Sequence, residues 1–263
     1  VFGTLSVAKA SINQKVKNLV LISSDKAVRP TNIMGASKRF AELCIQGLHQ
    51  KINYIDTTFS IVRFGNVINS SGSVIPKFRK QIQRGGPITL THHEVTRYFM
   101  TISEASQLVI QAGALGKNSE VFVLDMGESV KIKDLIKRMI NFSGLTLRDK
   151  NNKEGDIEIK ITGLRPGEKL YEELLIGDNP QKTIHPKIKK TDEPFIPYNE
   201  LEKILDQLLN LLNNFSSDEV KKLLDKSIKL YNSNSEIIDY LYIESKISKK
   251  EKEDLLPNQE ENN

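Results

Sequence analysis

Apolar residues recur along this chain in two spacings, which alternate from the first residue to about residue 190. Short β-branched or aromatic runs have the length of buried strands, and the stretches between them carry an apolar residue every three or four positions. The runs typical of strands are 19–22, 54–64, 87–91, 121–127, 157–161 and 183–190. The segments typical of helices are 1–10, 35–50, 76–84, 103–115 and 130–142. Strands that alternate with helices predict an α/β fold with a parallel sheet.

The pattern changes after residue 190. Leucines at helical spacing predict two or three amphipathic helices within 199–247, so residues 191–247 are assigned to C-terminal helices. Residues 248–263 are nearly all charged or amide side chains, and this composition predicts a disordered tail.

Composition narrows the class of protein. The 263 residues are 38% hydrophobic, which is typical of a globular protein. The net charge of +5 could indicate nucleic-acid binding, but the lysines are scattered and there is no Trp and no module of aromatic and basic residues, so this role is not expected. The single cysteine, Cys44, cannot form an internal disulfide, which fits a reducing cytoplasmic setting. No apolar run approaches the roughly 18 residues of a membrane helix, and no signal peptide opens the chain.

The first group of candidate functional residues follows the strand at 19–22. Ser23, Ser24, Asp25 and Lys26 lie at its end, which is where open α/β sheets place their chemistry. A hydroxyl, a carboxylate and an amine can donate hydrogen bonds and act as acid and base around a small ligand. The alternative is that Asp25 and Lys26 are solvated loop charges.

A helix is predicted to follow this loop, capped by Thr31 or Asn32. Met34 and Lys38 lie four residues apart and therefore on one face of that helix. Small residues between them allow a ligand to approach closely. The alternative for Met34 is that it fills a gap in the core.

Further candidates follow the later strands. The second strand is followed by the run Arg63-Phe64-Gly65-Asn66-Val67, then by a turn at 70–73 and a helix with Pro76 in its first turn. Backbone N–H groups at such a turn and helix start can bind phosphate. The alternative is an ordinary loop. Arg97 is a candidate for a diphosphate through its forked donors, with a structural role as the alternative. His92 and His93 are adjacent, but with four histidines in all and one cysteine no metal site is expected.

Two of these runs carry a resemblance to a known family. Residues 24–38 read Ser-Asp-Lys-Ala-Val-x-Pro-Thr-Asn-x-Met-Gly-Ala-Ser-Lys, and residues 165–169 read Arg-Pro-Gly-Glu-Lys. The first resembles the active-site segment of the extended short-chain dehydrogenases/reductases, and more narrowly of the CapD-like polysaccharide biosynthesis proteins, chiefly UDP-N-acetylglucosamine 4,6-dehydratases. The second is similar to an element of sugar-nucleotide dehydratases and epimerases. A Thr-Arg-aromatic-aromatic-x-Thr element at 96–101 also matches.

The resemblance implies a fold and an activity. The fold would be the C-terminal part of a Rossmann-type parallel sheet with a smaller substrate-binding lobe, divided as 1–72 for the second half of the NAD-binding domain and 73–190 for an interleaved sugar-nucleotide lobe. The activity would be that of an NAD-dependent lyase acting on a UDP-sugar. The alternatives are a UDP-sugar 4-epimerase and an inactive binding fragment.

The resemblance also implies residue roles. Ser24 would bond the sugar 4-oxygen, Asp25 would protonate the departing 6-hydroxyl, Lys26 would take the C5 proton, and Lys38 would hold the nicotinamide ribose. Met34 stands where the family often has Tyr and has no proton to exchange, so water or Asp25 is left to take the 4-hydroxyl proton. The implied cofactor contacts are Ser23, Lys38, Phe64, Gly65, Asn66 and Val67. The implied substrate contacts are Asn66, Ser73, Val74, Pro76, Arg97, Arg165 and Glu168.

The chain lacks the glycine-rich fingerprint that seats a dinucleotide pyrophosphate. We therefore expect it to be the C-terminal portion of a longer enzyme and to be inactive without the missing half of the NAD site. The resemblance implies that the longer enzyme is a homo-oligomer and that an N-terminal region anchors it at the inner face of the membrane.

Overall fold

A computed structural model describes residues 1–52, 56–70, 73–175 and 180–232, which form an α/β fold. The helices are α1 (Phe2–Asn13), α2 (Ile33–Lys51), α3 (Val74–Gln83), α4 (Ile102–Leu115), α5 (Ile132–Phe142), α6 (Tyr198–Asn213) and α7 (Ser217–Ser227), with a 3-10 turn at Asp25–Ala27. The strands are β1 (Asn18–Ile22), β2 (Thr58–Arg63), β3 (Asn66–Val67), β4 (Ile88–Leu90), β5 (Thr96–Arg97), β6 (Phe99–Met100), β7 (Glu120–Leu124), β8 (Val130–Lys131), β9 (Leu147–Arg148), β10 (Ile157–Ile161), β11 (Gln181–Lys182) and β12 (Ile188–Thr191).

The largest sheet has the strand order β1-β2-β7-β12-β11. β1, β2 and β7 are parallel, whereas β12 runs antiparallel to both β7 and β11. The carboxyl ends of the three parallel strands therefore meet at one edge, and the loops that leave this edge carry the candidate residues.

Helices cover both faces of this sheet. Alternation along β2 sends Phe59 and Ile61 into a core shared with α1, α2 and α6, and sends Val62 into a second core shared with α4. α4 packs closely on β1, since a side chain at Gly113 would come within 2.7 Å of Val20. The parallel strands are thus buried between layers, as in a Rossmann-type fold.

A smaller lobe has its own sheet and core. Its strand order is β4-β10-β9, and α3 and α5 pack against it around Phe78, Ile136 and Ile157. Two short ribbons pair β3 with β6 and β5 with β8. In chain order, each of these strands comes between a strand of the large sheet and a strand of this lobe.

A buried ionic cluster ties the large sheet to α2. The fully buried Arg63, at the end of β2, donates to Glu42 from Nε at 2.7 Å and to Glu193 from Nη2 at 2.8 Å. Arg39 donates to Glu42 at 2.9 Å, and the Ser23 hydroxyl donates to the same carboxylate at 2.6 Å. Burial acts to raise the pKa of Glu42, but the two guanidinium groups more than offset it, so this pKa lies below its ordinary value.

Most predicted elements are confirmed, with three differences in detail. The strand predicted at 183–190 is confirmed only from Ile188, where β12 begins; its first part is a turn from β11, which the Thr183 hydroxyl closes by bonding the backbone of His185 and Ile188. The helix predicted from Val130 begins two residues later, since Val130 and Lys131 pair with β5. The strand predicted at 54–64 begins at Thr58, and residues 54–55 lie outside the described residues.

The C-terminal helices are confirmed as α6 and α7. The rest of the predicted helical region and the tail at 248–263 lie outside the described residues. Among the residues that the structure describes, no helix combines the length and the apolar character needed to cross a membrane.

Candidate functional site

A cavity of about 720 Å³ opens beside the carboxyl ends of β1 and β2, between the large sheet and the smaller lobe. Ten predicted site residues contribute to its wall: Lys26, Met34, Gly65, Asn66, Val67, Ser73, Val74, Arg97, Arg165 and Glu168. A narrower recess of about 310 Å³ shares Lys26, Met34 and Arg165 with this cavity. The structure therefore gathers side chains that are up to 142 positions apart in the chain (168 − 26).

The residues after β1 form a hydrogen-bonded acid and base pair. Lys26 Nζ lies 3.0 and 3.1 Å from the two carboxylate oxygens of Asp25, and the Ser24 hydroxyl donates to the same carboxylate at 2.8 Å. Ser24 also caps the 3-10 turn by accepting the Lys26 N–H, which fixes the loop. Asp25 is 2% exposed, so the alternative that it is a solvated loop charge is wrong.

Helix α2 begins beside this pair. Asn32 is its N-cap and accepts the Gly35 N–H at 2.8 Å. A side chain at Gly35 would overlap the Lys26 carbonyl oxygen, so only glycine allows the helix to start this close to the loop. Met34 is 51% exposed and lies on the cavity wall, and the alternative that it fills the core is therefore wrong.

Lys38 lies one turn after Met34 on the same helix. Its side chain is exposed, and it makes no hydrogen bond or ion pair with any residue that the structure describes. It is not part of the cavity wall. The helix thus presents a thioether to the cavity and an unpaired cation beside it.

The Arg-Pro-Gly-Glu-Lys turn docks on the loop between β1 and α2. The Gly167 carbonyl accepts hydrogen bonds from the Thr31 hydroxyl at 2.7 Å and from the Asn32 amide at 3.1 Å. Lys169 donates to the Val28 carbonyl at 2.7 Å, and burial lowers the pKa of Lys169. The two motifs found in the sequence therefore meet in space and form one wall of the site.

Arg97 is held by protein partners on all three guanidinium nitrogens. Nε pairs with Glu172 at 3.1 Å, Nη2 pairs with Glu168 at 3.0 Å, and Nη1 donates to the Thr96 carbonyl at 2.7 Å. These contacts favour the structural alternative for Arg97. The Arg165 guanidinium, by contrast, makes no hydrogen bond or ion pair within the described ranges and faces the cavity.

Sequence reasoning missed Glu172. Its side chain is 5% exposed, and its carboxylate accepts from Lys26 at 3.2 Å and from Asn66 at 3.0 Å besides pairing with Arg97. Burial, followed by the adjacent Asp25 carboxylate, raises the pKa of Glu172 to about 6. The one sequence feature that could have indicated this residue was the pair of acidic residues, Glu172 and Glu173, a few positions after the Arg-Pro-Gly-Glu-Lys run.

Thr91 was also missed: its hydroxyl donates to Glu168 at 3.0 Å on the cavity wall. The Ser73 hydroxyl at the start of α3 is buried and has no hydrogen-bond partner among the described residues. Ser71 and Gly72 of the predicted phosphate turn lie outside the described residues.

Four predicted contacts lie off the cavity wall. Ser23 is buried and donates to Glu42, Phe64 packs against the core beneath α4, and Pro76 lies within the first turn of α3. Lys38 is the fourth. Gly65 does reach the cavity, and a side chain there would come within 3.1 Å of the Tyr98 Cβ. Of the two adjacent histidines, His92 accepts the Glu94 N–H through Nδ1.

Comparison with known proteins places this site in a family. The chain is 49% identical over 228 residues to the capsular polysaccharide biosynthesis protein CapD of Staphylococcus aureus, which covers 86% of this chain and 36% of CapD. It is 57% identical over 175 residues to the probable polysaccharide biosynthesis protein EpsC of Bacillus subtilis, which covers 66% of this chain and 28% of EpsC. The chain therefore spans about a third of the length of these relatives.

Solved structures agree on the fold. Pen from Bacillus thuringiensis is 41% identical with a TM-score of 0.60, over 67% of this chain and 52% of Pen. DesIV, a dTDP-glucose 4,6-dehydratase from Streptomyces venezuelae solved with NAD and TYD bound, is 19% identical with a TM-score of 0.54, over 65% of this chain and 55% of DesIV, a likeness that concerns the fold alone. Residues 1–193 match the family described as "Polysaccharide biosynthesis protein", and this chain is a member of that family.

Proposed function

We propose that this chain supplies the acid, the base and the sugar-nucleotide lobe of an NAD-dependent 4,6-dehydratase that converts UDP-N-acetylglucosamine to a UDP-4-keto-6-deoxy sugar. The observation that carries the proposal is the pairing of Lys26, which lines a cavity of about 720 Å³, with the buried Asp25 carboxylate 3.0 Å away. Elimination of water needs one group that takes a proton and one that gives a proton, and adjacent residues supply both.

The proton balance of the pair fits this reaction. For a pair that begins as ammonium and carboxylate, transfer of one proton along the 3.0 Å hydrogen bond gives a neutral amine and a carboxylic acid. Lys26 then takes the proton from C5, which a 4-keto group acidifies, and Asp25 protonates the 6-hydroxyl as it leaves as water. The pair returns to ammonium and carboxylate, so no further proton donor is needed for the elimination.

NAD would supply the hydride acceptor and donor for this reaction. The exposed Lys38, one turn from Met34 and unpaired among the described residues, fits the ribose-binding role that the family resemblance implies. The proposal assigns Ser24 to the sugar 4-oxygen, and what supports it is that the Ser24 hydroxyl lies 2.8 Å from the Asp25 carboxylate. Met34 contributes apolar surface to the cavity and exchanges no proton.

Other residues of the cavity wall suit the nucleotide. Arg165 lines the cavity, and its guanidinium has no hydrogen-bond or ion-pair partner among the described residues. A guanidinium can bind two phosphate oxygens at once through two parallel hydrogen bonds. Glu168 offers carboxylate oxygens, and the buried Ser73 hydroxyl supplies a hydrogen-bonding group that no described residue uses. Asn66 also lines the cavity, and its amide shares the Glu172 carboxylate with Lys26.

The test is a product analysis by mass spectrometry. The protein encoded by the complete open reading frame is incubated with NAD and UDP-N-acetylglucosamine, and the expected product is lighter by one water. Asp25→Asn and Lys26→Ala are each expected to lower the rate by roughly 100-fold or more, because each removes one proton-transfer group. Asp206→Asn and Lys203→Ala, on the exposed face of α6, are the matched controls and are expected to retain the wild-type rate.

Two results would contradict the proposal. Dehydration that persists at the wild-type rate in Asp25→Asn would remove Asp25 as the acid. A product of unchanged mass with an altered sugar configuration would instead indicate a 4-epimerase.

A further inference from the structure

The carboxylate of Glu172 is the point where three separate elements meet. It accepts from Lys26 of the 3-10 turn at 3.2 Å, from Asn66 of β3 at 3.0 Å, and from Arg97 of β5 at 3.1 Å. Only 5% of its side chain is exposed, so the carboxylate has lost most of its contact with water. Burial of a carboxylate costs little free energy only when hydrogen-bond donors replace the water. A second carboxylate, that of Asp25, also bonds the Lys26 amine and interacts directly with the Glu172 carboxyl.

We infer that Glu172 is a positioning residue for the elimination: it gives the Lys26 amine a second carboxylate partner besides Asp25, and it also bonds the Asn66 amide. This inference rests on the proposed function, because it concerns the same acid and base pair. Lys26 is a flexible side chain, 36% exposed, and one carboxylate partner on the neighbouring residue leaves its position loosely defined. The second partner, which comes 146 residues later in the chain, fixes the direction of the amine.

The surrounding charges explain how the arrangement depends on pH. The charged groups that interact with Glu172 are Asp25, Lys26, Arg97 and Lys169, and Arg97 is in turn held by Glu168. The pKa of Glu172 is raised to about 6 by burial and then by Asp25, against the opposing effect of the two cations. Below that pH the carboxyl is protonated, loses its charge and releases Lys26, so the dehydration rate should fall on the acid side of about pH 6.

The experiment compares Glu172→Gln with Glu173→Gln in the product of the complete open reading frame. Glu173 is the matched control, since it is the adjacent residue and pairs with Arg29 at the surface. Glu172→Gln is expected to lower kcat by roughly 100-fold with little change in KM, because a misplaced catalytic group slows the chemical step. The limb of the pH–rate profile near pH 6 should disappear, whereas Glu173→Gln should retain both the rate and the limb.

A second readout does not depend on turnover. Acylation of Lys26 by acetic anhydride, measured by peptide mass spectrometry against Lys203 as the reference, should rise roughly tenfold in Glu172→Gln, because one opposite charge no longer favours the ammonium. Should Glu172→Gln not fold, Glu172→Asp serves instead, since its shorter side chain cannot bond Lys26 and Asn66 together.

The two readouts separate this inference from the proposed function. If the wild-type protein dehydrates no UDP-sugar, the proposed function fails, and a rise in Lys26 acylation still supports the positioning role. Unchanged acylation of Lys26 overturns that role whatever the activity, and an unchanged kcat in Glu172→Gln overturns it as well.

Discussion

Replacement of Gly167 by alanine tests whether docking of the Arg-Pro-Gly-Glu-Lys turn builds the site. Gly167 has φ +69°, and an added Cβ would lie 2.7 Å from the Thr31 carbonyl oxygen and 2.9 Å from the Asn32 Cβ. The turn would have to move away from the loop between β1 and α2. That movement breaks both hydrogen bonds that the Gly167 carbonyl accepts, from Thr31 and from Asn32.

The size of the effect follows from these contacts. Each hydrogen bond contributes about 1 kcal/mol net, so the docked turn loses roughly 2 kcal/mol. A non-glycine residue in the left-handed region costs about 1–2 kcal/mol in addition. Gly163 isolates this second contribution, since it has φ +84° in the same loop and nothing within 4 Å of the position of a Cβ.

The assay is hydrogen–deuterium exchange of peptides that cover the turn, in the product of the complete open reading frame. The Glu168 amide, which donates to the Arg165 carbonyl at 2.9 Å, reports on the turn itself. Because about 1.4 kcal/mol corresponds to a factor of ten, this amide should exchange roughly 30-fold faster in Gly167→Ala than in Gly163→Ala. Equal exchange in the two variants would refute the claim that contacts with Thr31 and Asn32 hold the turn.

Two further predictions concern the arginines and the buried cluster. Arg165→Ala is expected to raise KM for the UDP-sugar about tenfold or more through the loss of charge-assisted hydrogen bonds. Arg97→Ala should instead lower kcat, because Glu172 loses one of its partners. Steady-state kinetics in which Arg97→Ala raises KM and Arg165→Ala lowers kcat would contradict these two roles. Glu42→Gln should cost about 3–5 kcal/mol at pH 7 in urea unfolding, since the buried Arg39 and Arg63 are left to share the single carboxylate of Glu193. Because the pKa of Glu42 is lower in the folded than in the unfolded state, its charge stabilises the fold above the unfolded pKa of about 4.3. This stabilisation is lost as pH falls through the folded-state pKa. The stability of Glu42→Gln should therefore depend less on pH between 5 and 3 than that of the wild type.

The fold was accessible from the sequence because its elements carry strong local signals. The run before Ser23 is short and β-branched, and Asn32 followed by a small-residue turn marks a helix start; the structure has β1 at Asn18–Ile22 and α2 from Ile33 with Asn32 as its cap. The turn between β11 and β12 was not predicted, because it depends on side-chain hydrogen bonds of Thr183 that have no periodicity.

The site was only partly accessible for a similar reason. Asp25, Lys26 and Met34 lie within one continuous motif, so their neighbourhood follows from local order. Glu172 and the partners of Arg97 depend on how a distant turn docks, and a sequence gives no distance between residues 146 positions apart. Arg97 accordingly looked like a phosphate ligand in the sequence, and only its four protein contacts favour a structural role.

The buried cluster of Arg39, Glu42, Arg63 and Glu193 has a consequence for how such chains diverge. Its two positive and two negative charges balance only as a set, and removal of any one leaves a charge stranded in the interior. Replacement through single substitutions must therefore pass through poorly folded intermediates. Among relatives, these positions should be inherited together or exchanged together, and a lineage that has lost one of them should carry an apolar or compensating change at the others.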